Sequence, residues 1–104
     1  MEIVLIDTFI VPEEAKAEFL EASHKVQSFI RTLPGFVEGF SFEKTGGDGR
    51  YNFLTTAVWK DEDAYENAKK AAAAELQKRG SNPQTLREKL KIESTRSTYK
   101  RFPY

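Results

Sequence analysis

The sequence predicts a small α+β fold in which strands and helices follow one another in the order strand, helix, strand, strand, helix, strand. Short runs rich in β-branched and aromatic residues alternate with longer segments whose apolar residues recur every three or four positions. A Pro-Gly pair and a cluster of glycines mark the turns between them. At 104 residues, the chain is long enough for one domain, residues 1–104, and leaves little room for a second.

The first strand and the first helix occupy the N-terminal third of the chain. Residues 3–11 are β-branched and aromatic and are therefore predicted to form a strand. Pro12 suits the first position of a helix, where no N–H is needed, and Glu13 and Glu14 suit its positive end. An apolar stripe with helical spacing predicts a helix of about 20 residues that ends at Pro34-Gly35. The stripe consists of Ala15, Phe19, Ala22, Val26, Phe29, Ile30 and Leu33.

A hairpin and a second helix follow. Residues 36–45 and 50–60 are predicted strands, and the glycine-rich residues 46–49 between them tolerate the positive φ angles of a turn. Asp61 is the predicted N-cap of the second helix, and Gly80 suits the position after its C-terminus. The apolar stripe of this helix consists of Tyr65, Ala68, Ala72 and Leu76.

The C-terminal segment is predicted to add a short helix before the last strand. This insertion covers residues 80–91, with Asn82 as the cap of a helix from Pro83 to Lys91. Residues 92–102 form the last predicted strand. With right-handed crossovers, the whole order gives a ferredoxin-like fold, a four-stranded antiparallel sheet with the helices on one face.

Composition narrows the classes of partner. Sixteen basic and sixteen acidic residues give no net charge, which argues against nucleic acid or a membrane surface as a partner. No apolar run is long enough to span a membrane, and the N-terminus lacks the basic leader of a secretory signal, so we expect a cytoplasmic location. His24 is the single histidine and there is no cysteine, so we expect no metal site and a solvated His24.

Apolar residues on both faces of the first and third strands predict a second copy of the chain. In the first strand, Ile3 and Leu5 point to one face while Val4 and Ile6 point to the other. Two helices cover only one face of such a sheet, so the other face is predicted to pack against the same sheet of a partner chain. The alternative is that this surface is exposed, or is covered by residues 80–91.

Three motifs resemble those of the antibiotic biosynthesis monooxygenase family of dimeric α+β barrels. They are Pro12-Glu13-Glu14, Leu33-Pro34-Gly35-Phe36 and the run Val58-Trp59-Lys60-Asp61-Glu62-Asp63-Ala64-Tyr65, and the likeness spans residues 3–79. The resemblance implies a monooxygenase that needs no cofactor and oxidises a small aromatic substrate, of phenol, hydroquinone or anthrone type, with molecular oxygen. It identifies the fold better than the reaction, because the superfamily also holds haem degraders.

The resemblance also implies a set of site residues. Trp59 and Tyr65, six residues apart, would line the substrate pocket, although both could equally be core aromatics. Thr55 stands where quinone-forming oxygenases carry Asn, and keeps a hydrogen-bonding group without the amide. Arg79 would hold an anionic intermediate, but the C-terminus of a helix also favours arginine. Phe53 shares the strand face of Trp59 and is predicted to contact the substrate.

Asp7 is the candidate general base. It lies between Leu5 and Phe9 on one face of the first strand, where a carboxylate is costly to bury unless it is paired or protonated. It would remove a proton from a phenol or hydroquinone. The alternative is a salt bridge to Arg96 in the last strand.

The sequence also bears on three other functions. Haem-degrading relatives use an axial histidine ten residues after a tryptophan, and that position here is Lys69, so we do not expect haem degradation of that kind. A non-catalytic dimer that binds an apolar small molecule stays open. RNA binding fits the order of strands and helices, but the zero net charge and the long first helix oppose it.

Overall fold

The computed structural model describes residues 1–103, and Tyr104, the last residue of the predicted domain, lies outside the described residues. Four strands form one sheet in the spatial order β2-β3-β1-β4, and each neighbouring pair is antiparallel. The predicted ferredoxin-like α+β fold is confirmed. Its elements are β1 (Ile3–Ile10), α1 (Lys16–Ile30), β2 (Phe36–Glu43), β3 (Phe53–Trp59), α2 (Glu62–Lys78), α3 (Pro83–Leu90) and β4 (Glu93–Tyr99).

The first helix is shorter than its apolar stripe predicted. The chain enters it through a 3-10 turn, Glu13–Ala15, in which the Ala15 N–H bonds the Pro12 carbonyl at 2.9 Å. It leaves through tight turns in which Thr32 and Leu33 donate to carbonyls three residues back. The stripe therefore continues through segments of tighter winding, which keep a similar apolar face but lie outside the α-helix.

The second and third helices begin at the predicted caps. The Asp61 carboxylate accepts a hydrogen bond from the Ala64 N–H at 2.8 Å, and Asn82 Oδ1 accepts from the N–H groups of residues 84 and 85. The loop of the hairpin is longer than predicted, from residue 44 to 52. Asn52 closes it, because its carbonyl accepts from the Lys44 N–H and its N–H donates to the Phe9 carbonyl, both at 2.9 Å. Its side chain also bonds both the N–H and the carbonyl of Val11.

The helix-facing side of the sheet carries two separate apolar clusters. The first surrounds Trp59 and includes residues from β1, β3, α1 and α2. The second surrounds Phe19 and joins α1 to the far ends of β1 and β3. In β1, Leu5 belongs to the first cluster and Phe9 packs against the second, so Asp7 lies where the core divides.

The opposite side of the sheet, here called the outer face, carries large apolar side chains that no described element covers. Phe40, Phe42 and Tyr99 are each more than half exposed. The strand registers place Phe40 opposite Thr56 and Phe42 opposite Leu54, alongside the even-numbered residues of β1. Apolar residues thus face both ways, as the first strand predicted.

Two sequence expectations concern absences. None of the described helices is long and apolar enough to cross a membrane. Within residues 1–103, no group of three or more histidine, aspartate or glutamate side chains is arranged to hold a metal ion.

Candidate functional site

A row of polar side chains crosses three strands at the division of the core. Thr55 in β3 pairs with Asp7 in β1, and Asp7 pairs with Arg96 in β4. Residues paired directly across neighbouring strands point to the same face. The row therefore faces the helices, and it places three hydrogen-bonding groups between the two apolar clusters.

Asp7 and Arg96 form a two-pronged ion pair. Arg96 Nε donates to one carboxylate oxygen at 2.8 Å, and Nη2 donates to the other at 3.0 Å. The Asp7 side chain is 15% exposed, while that of Arg96 is 59% exposed at the edge of the sheet. The hydrogen bonds from Arg96 to Asp7 raise the pKa of the guanidinium above its ordinary value, and the Tyr65 phenol contributes in the same direction. Arg96 is thus a permanent cation held on Asp7 in the wall of the pocket described next.

This row forms part of the wall of a pocket of about 90 Å³ between the helices and the sheet. Trp59 closes one side of the pocket and is only 2% exposed, with its ring held edge-on by Phe36 at 5.4 Å between centroids. The first turns of α2 supply Tyr65, whose ring lies 4.8 Å from the ammonium of Lys69. The small side chains of α2 leave the space open. The lining residues are Leu5, Asp7, Val26, Gln27, Ile30, Thr55, Thr56, Ala57, Trp59, Tyr65, Ala68, Lys69, Ala72 and Arg96.

Gln27 supplies the one buried side-chain polar atom without a hydrogen-bond partner among the described residues. This atom is its Oε1, and Gln27 lines the same pocket from α1. A buried acceptor without a partner costs about 1–3 kcal/mol, and native structures hold few of them. Gln27 Oε1 is thus an acceptor in the helix layer that the protein itself does not satisfy.

The structure brings together four of the six predicted site residues, and two lie elsewhere. Asp7, Thr55, Trp59 and Tyr65 line the pocket. Phe53 instead packs in the second apolar cluster, with its ring 5.1 Å from that of Phe19.

Arg79, the other predicted residue outside the pocket, pairs with Glu75 at 3.0 Å and lies over the ring of Phe29. It lines a wider groove of about 1100 Å³ between α1, the end of α2 and α3. The exposed His24 borders this groove too. The helix therefore carries Arg79 beyond the reach of the pocket.

The sequence analysis did not assign Gln27 or Arg96 to the site, although both line the pocket. Gln27 was not predicted as a site residue, because a polar residue beside the apolar stripe of α1 is typical of a solvated helix face. Its position three residues before Ile30, on the edge of the apolar stripe, was the available signal. The sequence predicts Arg96 only as the alternative salt-bridge partner of Asp7, although the same register that pairs it with Asp7 also makes it part of the wall.

Comparison with known proteins identifies the family. Residues 2–76 match the model of the antibiotic biosynthesis monooxygenase family. The match covers most of the chain, so the chain belongs to this family. A search of curated protein sequences found no significant match. At the level of the family, the function is of the monooxygenase type, with the substrate left open.

Several solved structures share the fold. SnoaB, a cofactor-independent oxygenase from Streptomyces nogalater, is 21% identical, and the alignment covers 99% of this chain and 95% of SnoaB with a TM-score of 0.69. A putative monooxygenase from Shewanella loihica is 17% identical over 99% of this chain and 96% of its own, with a TM-score of 0.69. The heme-degrading protein Rv3592 from Mycobacterium tuberculosis is 19% identical over 66% of this chain and 78% of its own, with a TM-score of 0.58. At these identities the likeness establishes the fold alone.

Proposed function

We propose that this protein is a monooxygenase that oxidises a small phenol with molecular oxygen and without a bound cofactor. The observation that carries the proposal is the pocket between sheet and helices, where the Asp7–Arg96 ion pair lies beside Trp59 and Tyr65. A family member with an acid–base group, a cation and two aromatic walls in one small pocket has the parts that phenol oxidation needs. The oxygenase activity in the name of SnoaB points the same way.

The ion pair performs the proton transfer in this proposal. A phenol hydroxyl beside Asp7 gives its proton to a carboxylate oxygen, and the phenolate that forms takes over the attraction of Arg96. The guanidinium is charged before and after, so the negative charge moves from carboxylate to phenolate while staying next to the same cation. Such a fixed cation stabilises developing charge without reorganisation.

The substrate supplies all the electrons for the oxidation. The phenolate passes electron density to oxygen, which forms a bond to a ring carbon, and loss of water from the resulting hydroperoxide leaves a quinone. One substrate and one O₂ give one quinone and one water: the substrate loses two hydrogens and gains one oxygen atom. Four electrons move from the ring to O₂, so no external reductant is required.

Trp59, Tyr65 and Thr55 position the ring. Trp59 is buried and braced by Phe36, so its indole forms a rigid wall for a flat substrate. Tyr65 and Thr55 line the same pocket as Asp7, and each carries a hydroxyl group. Holding the ring in one orientation supplies much of the acceleration when the protein contributes no cofactor.

The volume of the pocket favours a single-ring substrate. The pocket measures about 90 Å³, which is smaller than an apolar cavity of about 150 Å³ that accepts benzene. A single ring therefore requires the partly exposed Lys69 side chain in the wall to move outward while Arg96 stays on Asp7. A three-ring anthrone requires larger movements still.

Oxygen uptake tests this function. The wild-type chain should consume oxygen with single-ring phenols and hydroquinones faster than with anthrones. Asp7→Asn, which keeps the shape but accepts no proton, should lower the rate by about 10²–10⁴-fold. Asp48→Asn, in the exposed hairpin loop, is the matched control and should leave the rate unchanged. Full turnover by Asp7→Asn, or none by the wild type, would sink the proposal.

A second candidate is a non-catalytic protein that binds a small molecule. It is favoured by one specific observation, that Arg96 already donates to both oxygens of Asp7 and so competes with any substrate proton. In that case the same phenols would bind in the pocket and no oxygen would be consumed by any variant.

We also propose that the protein works as a homodimer through the outer face. Contiguous apolar surface of this kind is uncommon on monomers. A polar border supports the same assignment, because Arg101 bridges Glu2 and Glu38 at the edge of the apolar residues. The helix-side pocket stays accessible in such a dimer.

A further inference from the structure

The pocket and the wider groove lie along the same face of α2. The apolar stripe of this helix recurs at helical spacing and therefore faces one side. It consists of Tyr65, Ala68, Ala72 and Leu76. The first three residues line the pocket, whereas Leu76 lines the groove. The two cavities are thus successive parts of one cleft that follows α2 towards its C-terminus.

Val26 of α1 stands at the boundary between these two cavities. Among the described residues, it is the only one that lines both. Gln27 and Ile30 line only the pocket, and Ala22 and Phe29 line only the groove. With about 3.6 residues per turn, Val26 lies between these two pairs on the surface of the helix. Its side chain therefore separates the pocket from the groove.

The groove offers apolar surface whose neighbouring charges are already paired. Its apolar lining comes from three helices and stays only partly buried: Ala22, Val26, Phe29, Leu76 and Leu86. At its border, Glu21 pairs with Lys25 at 3.3 Å. Glu18 pairs with Lys89 at 3.6 Å. Because these charges satisfy one another, the groove suits an uncharged apolar group.

The volumes of the two cavities decide where a longer ligand extends. The pocket of about 90 Å³ holds no more than one ring, so a substituent on that ring has to leave it. The neighbouring space along α2 is the groove of about 1100 Å³. We propose that the groove is a second binding subsite, which holds a linear apolar chain attached to the ring, and that Val26 sets the width of the passage.

The ligand that fits this cleft is a phenol with an unbranched alkyl chain. Its hydroxyl end lies in the pocket beside Asp7, and the chain passes Val26 into the groove. A chain is narrower than a fused second ring, so the passage favours the chain. Burial of this unreactive end supplies binding energy that holds the ring in place. The inference rests on the proposed function for the phenol end alone, and the chain and its subsite go beyond it.

The test measures binding under nitrogen, so that no oxidation occurs, with phenol and its 4-ethyl, 4-butyl and 4-hexyl derivatives. Trp59 is the only tryptophan and lines the pocket, and His24 is the only histidine and borders the groove. Their ring signals in NMR spectra report the two cavities separately. Phenol should shift the Trp59 signal alone, whereas 4-hexylphenol should shift both signals with the same midpoint.

Affinity should rise with the length of the chain. We expect about twofold for each added CH₂, against about fourfold for complete burial, because the groove is partly open. The wild type should therefore bind 4-hexylphenol about 16-fold more tightly than 4-ethylphenol. This ratio of affinities is the quantity to compare among variants.

Two substitutions should lower the ratio by different routes. Val26→Phe narrows the passage and should bring the ratio close to one. Leu86→Gln makes the groove more polar without touching the pocket, and should lower the ratio severalfold while leaving the affinity for phenol unchanged. Leu20→Gln is the matched control, because Leu20 lies on α1 and lines neither cavity, and it should keep the wild-type ratio. If Val26→Phe does not fold, Leu86→Gln decides.

An unchanged ratio in either folded variant would overturn the inference, because the chain would then leave the pocket by another route. Failure of 4-hexylphenol to shift the His24 signal, or a shift of His24 without Trp59, would overturn it too. If the ratios behave as expected and no phenol consumes oxygen in air, the subsite stands and the oxygenase proposal fails. Oxygen consumption without any gain from the chain is the reverse result.

Discussion

At the scale of residues, one ion pair has two tasks. Arg96 offsets the desolvation of the Asp7 carboxylate by donating a hydrogen bond to each of its oxygens. The same guanidinium also places a positive charge in the wall of the pocket. The first task concerns stability and the second concerns chemistry. The two roles can be measured separately, because the free energy of unfolding is determined without a substrate.

Removal of the Arg96 side chain should destabilise the fold through Asp7. Arg96→Ala leaves a largely buried carboxylate without its two hydrogen bonds, and we expect the free energy of unfolding to fall by about 1–2 kcal/mol. The loss is below that of a fully buried pair because Arg96 is mostly exposed and solvent screens the interaction. Urea denaturation measures it.

The control for this prediction is an exposed ion pair between the hairpin loop and β4. Arg50 and Glu93 lie 3.3 Å apart, with both side chains about two-thirds exposed or more. Arg50→Ala should change the free energy of unfolding by less than about 0.5 kcal/mol. Equal losses in the two variants would mean that Asp7 is not held by Arg96 in solution. Asp7→Asn added to Arg96→Ala should recover part of the loss.

The sequence predicted Asp7 and its partner Arg96, but it left open whether Asp7 acts as a general base or only forms a salt bridge. A strand pattern shows that a carboxylate lies among apolar residues, and strand order brings β4 beside β1, so Arg96 was predictable as a partner. Gln27 was not, because whether a polar residue on the edge of a helical stripe points to solvent or into a gap depends on how the helix rotates against the sheet. Arg79 likewise lies at the end of α2, whose direction the spacing of residues along the chain does not fix.

At the scale of elements, local signals predicted the identity of each helix and strand better than its length. Caps such as Asp61 and Asn82 act through hydrogen bonds to residues two or three positions away, so their effect is visible in the sequence. The start of β3 is held instead by Asn52, whose side chain bonds Val11 across 41 positions. No local pattern contains that contact.

Gly35 joins α1 to β2 and sets how closely α2 approaches. Its φ of +83° favours glycine, and an added Cβ would collide with the Cβ of Ala64 in the first turn of α2. Gly35→Ala should therefore lower the free energy of unfolding by about 3 kcal/mol, from backbone strain plus overlap. Because Ala64 precedes Tyr65, the same change should also disturb the pocket.

Gly80 provides the matched control for Gly35. Its φ is +71°, but an added Cβ would meet no atom within 4 Å. Gly80→Ala should then cost only the strain, about 1–2 kcal/mol. Thermal and urea denaturation of the two variants would give the difference, and similar losses would show that α2 does not contact Gly35 as closely as described.

At the scale of the whole molecule, the sheet has one face covered by helices and an outer face on which several large apolar side chains stay exposed. The side chains of Phe40 and Phe42 are more than half exposed on the outer face, with rings 6.3 Å apart. Their burial between two copies would remove apolar surface from water at no cost in charge, since the ionic residues lie at the border. The protein should therefore have twice the mass of its 11.9 kDa chain in solution.

Substitution of both phenylalanines should separate the dimer. The double variant Phe40→Ser/Phe42→Ser removes the largest exposed apolar side chains of β2, and light scattering should then report the mass of a single chain. Leu20→Ser is the control, because Leu20 is 43% exposed but lies on α1, on the other side of the sheet. A wild-type chain that stays monomeric at high concentration, or a double variant that stays dimeric, would contradict the outer-face interface. A dimer lost in Leu20→Ser would place the interface on the helices instead.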